Sequence, residues 1–80
     1  MVRNFRSDDK GKRVLTADGD MVGRVEDASG TTAHIKAEGG LSRSIRRRLG
    51  WTEESEETYE LRKSNVDEIT DDEIRLKNNI

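Results

Sequence analysis

Residues 12–28, KRVLTADGDMVGRVEDA, constrain this chain more than any other stretch. Two apolar runs flank Ala17-Asp18-Gly19-Asp20. An Asp-Gly pair in that setting is β-hairpin chemistry, because glycine enters the left-handed backbone region that tight turns need. The fold is therefore expected to open with two antiparallel strands. Val22 and Val25 stand three apart, out of step with the two-residue period of a strand. Gly23 between them predicts a β-bulge that returns both valines to one face.

The rest of the chain extends that β pattern. In TTAHIKAE, Ala33, Ile35 and Ala37 alternate with Thr32, His34 and Lys36, as in a half-buried strand entered through the Ser29-Gly30 turn. Gly39-Gly40 breaks it. Leu41, Ile45 and Leu49 then recur every fourth residue, which predicts one short helix over about 41–49, stopped by Gly50 in a left-handed conformation. Trp51 is expected to fold back toward Ile45. Beyond the acidic link TEESEE, Tyr59 and Leu61 alternate in a strand, and Val66 and Ile69 lead to a turn at Thr70-Asp71-Asp72. Ile74 and Leu76 mark the last strand. Residues 1–10 are aperiodic and are expected to form a flexible arm, unless Phe5 docks onto the body.

Composition sets the scale of such a fold. Eighty residues allow one domain, since a chain this short buries only about 60% of the surface it exposes when unfolded. With 30% apolar residues, 40% charged residues and no cysteine, neither a large core nor a disulfide or thiolate–zinc staple is available. A second subunit would supply the missing burial, so a homodimer is expected. No apolar run is long enough to span a membrane and the amino terminus lacks a signal-like segment, which together predict a cytoplasmic protein. Ten arginines, five lysines and 17 acidic residues suit a salt-adapted, halophilic cytosol. Charge is unevenly spread: residues 1–52 hold 11 basic against 7 acidic side chains, and residues 53–80 hold 4 against 10.

Gly11, Val14, Asp18-Gly19, Val22-Gly23 and Val25 resemble the opening of PRC-barrel domains, in which a G-x-x-V strand, a D-G turn and a V-G-x-V strand form the first hairpin. The closing DEITDDEIRLK is similar to that family's end. The resemblance implies an all-β fold: a small β-barrel of about six short strands with one short helix, spanning 11–80 behind the arm. It also implies a protein-binding or scaffolding role without catalysis. The stand-alone archaeal members, which this chain resembles in size, include cell-division adaptors acting with SepF at the FtsZ ring. Another branch belongs to a ribosome-maturation factor. A basic helix is not part of the family pattern, so the resemblance assigns no role to residues 43–48.

Catalytic, cofactor and metal chemistry find no motif. His34, the single histidine, falls on the polar face of its strand with no cysteine or second histidine to join it. Asp18, Asp20, Asp71, Asp72 and Glu73 fit turns rather than a calcium loop, and Gly39-Gly40 lacks a phosphate-binding glycine pattern. No catalytic residue, cofactor or metal is therefore assigned.

The distinctive stretch is RSIRRRLGW, residues 43–51. Arg43, Arg46 and Arg47 fall opposite the apolar stripe of the helix, with Arg48 on the border. Four readings stand. The arginines form a solvated face, favoured by the negative end of the helix dipole and screened by Glu53, Glu54, Glu56 and Glu57. They bind phosphates while Trp51 or Tyr59 stacks on a base. They lie on an anionic membrane surface. Or Arg43, Arg46, Arg47, Arg48 and Trp51 capture an acidic protein partner, arginine and tryptophan being common hot spots. The expected function is a protein-interaction adaptor whose partner is another PRC-type chain or a SepF-like adaptor, with rRNA or ribosome-assembly binding as the alternative.

Overall fold

The computed structural model describes residues 2–37, 43–51 and 58–78. The Gly39-Gly40 break, Leu41 and the acidic link with Glu53, Glu54, Glu56 and Glu57 lie outside the described residues. Those described form a mainly β domain: β1 (Arg13–Leu15), β2 (Met21–Ser29), β3 (Thr32–Ala37), one helix α1 (Arg43–Leu49), β4 (Thr58–Arg62), β5 (Val66–Ile69) and β6 (Glu73–Leu76). The strands make one sheet in the order β4-β3-β2-β1-β6-β5, antiparallel throughout except for the parallel β1–β6 pair.

The opening hairpin forms as its turn chemistry requires. Gly19 takes φ 93° and its N–H donates to the Thr16 carbonyl, while the Asp20 N–H donates to Thr16 Oγ1. A bulge follows where expected. Val14 pairs with Gly23 and Leu15 with Met21, which leaves Val22 as the extra residue. A second bulge at Glu26 separates the Val25–Ile35 and Asp27–His34 pairs. Two extra residues in nine turn Val22, Val25 and Ala28, spaced by three, onto the same buried face. Gly23 serves a further purpose, since a Cβ there would collide with the Lys36 carbonyl and lie 2.9 Å from the Ile35 γ2 methyl.

The six strands and the helix match the sequence expectation, but the sheet is open rather than closed into a barrel. Strand direction gives the reason. β4 and β5, its two edges, run the same way, and only the three-residue 3₁₀ turn Lys63–Asn65 joins them. Side-by-side parallel pairing would need a crossover of roughly a dozen residues. Instead the chain runs on from one edge to the other. The edges of a flat six-stranded sheet would lie about 24 Å apart, farther than so short a link can span, so the sheet must curl. The link is tied to both sides: the Lys63 N–H donates to the Thr31 carbonyl, and the Asn65 carbonyl accepts from Lys77 N–H.

The concave face carries the core. Val14, Val22, Val25, Ala33, Ile35, Leu61, Val66, Ile74 and Leu76 meet there, joined by Leu49, Trp51 and Tyr59 from the helical side and by Phe5. Phe5 docks onto the body, the alternative that the sequence left open for residues 1–10: it is 3% exposed and bridges to Gly30, donating its N–H to the Gly30 carbonyl at 2.8 Å. The amino-terminal residues are further held through Asp9, whose side chain is wholly buried. Arg3 grips that carboxylate with both terminal nitrogens at 3.0 and 2.8 Å, Lys12 Nζ lies 2.8 Å away, and the Arg6 N–H donates to it. Lys12 also donates to the Thr70 carbonyl, linking this cluster to the turn before β6.

Two outcomes follow. Gly23→Ala must push β2 off β3, so urea unfolding should show a loss of about 2 kcal/mol or more. The Asp9 carboxylate is held well below the usual carboxylate range, first by its Arg3 hydrogen bonds and then by Lys12 and the Arg6 N–H, which together outweigh the opposing effect of burial. Its stabilisation is complete above the unfolded value of about 4 and is lost as pH falls toward the folded one. Asp9→Asn should therefore cost about 3 kcal/mol at pH 7 and flatten the acid limb of the stability curve. Equal stability of variant and wild type at pH 7 would remove Asp9 as an anchor.

Candidate functional site

Helix α1 is built from good helix formers and ends as glycine chemistry dictates. Gly50 takes φ 78°, its N–H donates to the Arg47 carbonyl, and the Trp51 N–H reaches back to the Arg46 carbonyl at 2.7 Å. These paired bonds make a Schellman stop, which turns the chain sharply. Trp51 is thereby delivered onto Tyr59 of β4, the rings stacked 5.1 Å apart and 19° from parallel. Ile45 packs against the same core, as the four-residue spacing implies.

That arrangement divides the five candidate residues. Trp51, expected at a partner surface, is 2% exposed and belongs to the core, its indole Nε1 donating to the Glu60 carbonyl at 3.0 Å. Arg46, expected on the open face, is half-buried instead. Its Nη2 donates to the Tyr59 hydroxyl at 2.6 Å, its Nε to the Trp51 carbonyl, and its guanidinium carbon lies 5.5 Å from the Tyr59 ring centroid. The physical cause is the Trp51–Tyr59 stack, which presents an aromatic face and a hydroxyl beside the last helical turn. Arg43, Arg47 and Arg48 are exposed and make no ion pair among the described residues. Arg43 and Arg47 stand one turn apart on the same side of the helix, so two planar guanidiniums are offered together and Arg48 flanks them. Such a set recognises carboxylates or phosphates through paired hydrogen bonds.

The open sheet edges are poor docking strands. On β4 the outward Glu60 carbonyl is already taken by the Trp51 indole. On β5 the extra residue Asp67 makes a bulge, and Asp67 and Glu68 are exposed charges on a strand of four residues. Short, bulged and charged edges resist strand addition. The basic face of α1 is free of both obstacles, its Arg43, Arg47 and Arg48 being exposed and in no ion pair among the described residues.

His34 stands exposed on the outer side of β3, opposite Asp27 and Glu60. Among the described residues, no group of three or more His, Cys, Asp or Glu side chains is placed to hold a metal ion. No helix among them is long and apolar enough to cross a membrane. Sequence reasoning missed Asp9, the one buried carboxylate among the described residues. Its only local signal is the spacing Arg6-Asp9-Lys12, and spacing alone does not show that a carboxylate will be enclosed.

The segment from Phe5 to Leu76 holds the core from its first to its last buried residue. The chain belongs to the family of unknown function DUF8593, whose model matches residues 5–76. No curated protein and no solved structure matches it. The family match therefore coincides with the folded unit, and it includes Phe5 and Asp9, which the sequence pattern placed in an arm.

The division of the arginines has a measurable consequence. Arg46→Ala should cost about 1–2 kcal/mol in urea unfolding, through the lost hydrogen bond to Tyr59 and the cation–π contact. Arg43→Ala, Arg47→Ala and Arg48→Ala should each stay within about 0.5 kcal/mol of wild type. Equal costs across all four would show that Arg46 has no special place.

Proposed function

We propose that this chain is a non-catalytic protein-interaction module, an adaptor of the kind its PRC-barrel resemblance implies, which docks through the exposed arginines of α1. The observation that carries this is the contrast within one helix: Arg46 is consumed by the fold, whereas Arg43, Arg47 and Arg48 project without a partner among the described residues. The surface that fits them is acidic. A second copy of the chain offers one, since Asp67 and Glu68 on β5 and Asp71 and Asp72 in the next turn are exposed and make no ion pair among the described residues. This supports a homodimer or a related PRC-type chain as partner. A SepF-like adaptor at an archaeal FtsZ ring, in a salt-adapted cytoplasm, is the setting the resemblance supplies.

Nucleic acid is the competing ligand for guanidiniums, and the aromatic residues argue against it. Phe5, Trp51 and Tyr59 are all buried, at 3%, 2% and 8% exposure, so none offers a ring face to a base. Binding to single strands would then rest on phosphate contacts alone and fall steeply with salt.

The test is affinity capture at native salt with wild type and an Arg43/Arg47/Arg48→Glu variant, bound protein and nucleic acid both being identified. Arg46 is left intact so that the fold is kept. A discrete acidic partner, or the chain itself, recovered by wild type and lost by the variant is the expected result. Nucleic acid recovered in its place, or identical recovery by both proteins, overturns the proposal.

A further inference from the structure

The open seam of the sheet holds a hollow of about 830 Å³ that the arginine helix does not touch. It forms where β4 passes into β5. Thr31 and Thr32 line it from the β3 side, Glu60 and Arg62 from the end of β4, Lys63 and Ser64 from the link between the edges, and Lys77 from just past β6. Residues 53–80 contain only four basic side chains against ten acidic ones, and three of those four line this one hollow. A strongly acidic half of the chain thus gathers its cations at a single place, beside three hydroxyl groups.

We propose that this hollow binds a phosphorylated sugar. Arg62 ends β4, Lys63 begins the link to β5 and Lys77 follows β6, so the cations reach the hollow from two separate parts of the chain, and the threonine and serine hydroxyls supply neutral donors to the oxygens of an oxyanion. Two cations are positioned by polar neighbours: Lys63 Nζ rests on Asn4 Oδ1 at 2.9 Å, and Arg62 pairs with Glu60 at 3.6 Å. Lys77 is exposed and makes no ion pair among the described residues, so charge is left over for a ligand. The hollow is far larger than a bare phosphate ion needs and falls within the size range of small-molecule sites, about 300–1,000 Å³. Val2 and Val66 give it an apolar portion, and the exposed Asp67 carboxylate is an acceptor suited to a sugar hydroxyl. No aromatic ring lines it, which favours a sugar phosphate over a ligand that must stack a base. This proposal uses no residue of α1, although Asp67 also belongs to the acidic surface offered to α1 of a second copy.

The probes are ribose 5-phosphate, ribose and inorganic phosphate, titrated at low ionic strength into the full ¹⁵N-labelled chain and followed by NMR. Ribose 5-phosphate should give saturable shifts at the Thr31, Thr32, Ser64 and Lys77 amides. Inorganic phosphate should act on the same amides at least tenfold more weakly, and ribose should leave them unmoved. Lys77→Glu and Arg62→Glu change exposed side chains, keep the dispersion of a folded spectrum, and should each weaken binding by tenfold or more. The absence of saturable shifts at these amides, shifts confined to Arg43, Arg47 and Arg48, or undiminished affinity in both variants would overturn the site. Equal affinity for inorganic phosphate and ribose 5-phosphate would overturn the sugar as its ligand.

Discussion

Trp51 lying on Tyr59 makes the helix part of the sheet's core. A chain with so few apolar residues cannot leave its largest one in water. Burial of an aromatic side chain removes about 150–250 Å² from solvent, and a stacked pair adds roughly 0.5–1.5 kcal/mol beyond the area term. The Schellman stop at Gly50 aims the indole, and the Glu60 carbonyl satisfies its N–H. Once the two rings are stacked, Arg46 has an aromatic face and a hydroxyl within reach, and the outer edge of β4 is covered at Glu60. Anchoring the helix, removing one arginine from the surface and guarding one sheet edge are therefore consequences of a single contact.

What the sequence disclosed was local. The Asp18-Gly19 turn, the bulge beside Gly23, the alternation of Ala33 and Ile35 and the stop at Gly50 each depend on residues within a few positions, and each formed as expected. Arg46 was not separable from Arg43 and Arg47 by spacing, because its fate rests on Tyr59, thirteen residues away and on another strand. Trp51 carried the right residue type for a binding hot spot and for a core, and only the core was in need of it. Asp9 is the same lesson in charge. A carboxylate among Arg3, Arg6 and Lys12 looks like a solvated turn until Lys12 is seen to reach the Thr70 carbonyl as well, closing the cluster under the start of β1.

The open seam follows from directions that no single segment contains. Every neighbouring pair of strands but one is antiparallel, and the parallel β1–β6 contact inverts the order of the last two strands relative to the first four. That inversion sets β4 and β5 running the same way with three residues between them. Alternation predicts β4, and Val66 and Ile69 mark only the approach to the next turn, so neither reveals that β4 and β5 share a direction and a closed barrel looks as natural as a curled sheet. The consequence is a gap floored by core residues and rimmed by the ends of four strands, which is the kind of place where polar side chains converge without having to pair with each other.

The distribution of cations then sorts the surface. Arg3 and Lys12 are spent on Asp9, Arg46 on Tyr59, and Arg13 and Arg75 on Glu73. Among the described residues Arg6, Arg24 and Lys36 are also exposed without an ion pair; the two proposed sites are the outer side of α1 and the rim of the seam. The two differ in shape: guanidiniums on a convex helix meet a flat partner surface, whereas lysines and hydroxyls around a concavity enclose something small. A chain with net charge −2 gains nothing in general anion attraction from these groups, since its long-range field repels anions. Their effect must be short-ranged and geometric, within about a Debye length of 8 Å at physiological ionic strength and less in stronger salt. Recognition at either place is consequently decided by contact geometry rather than by steering.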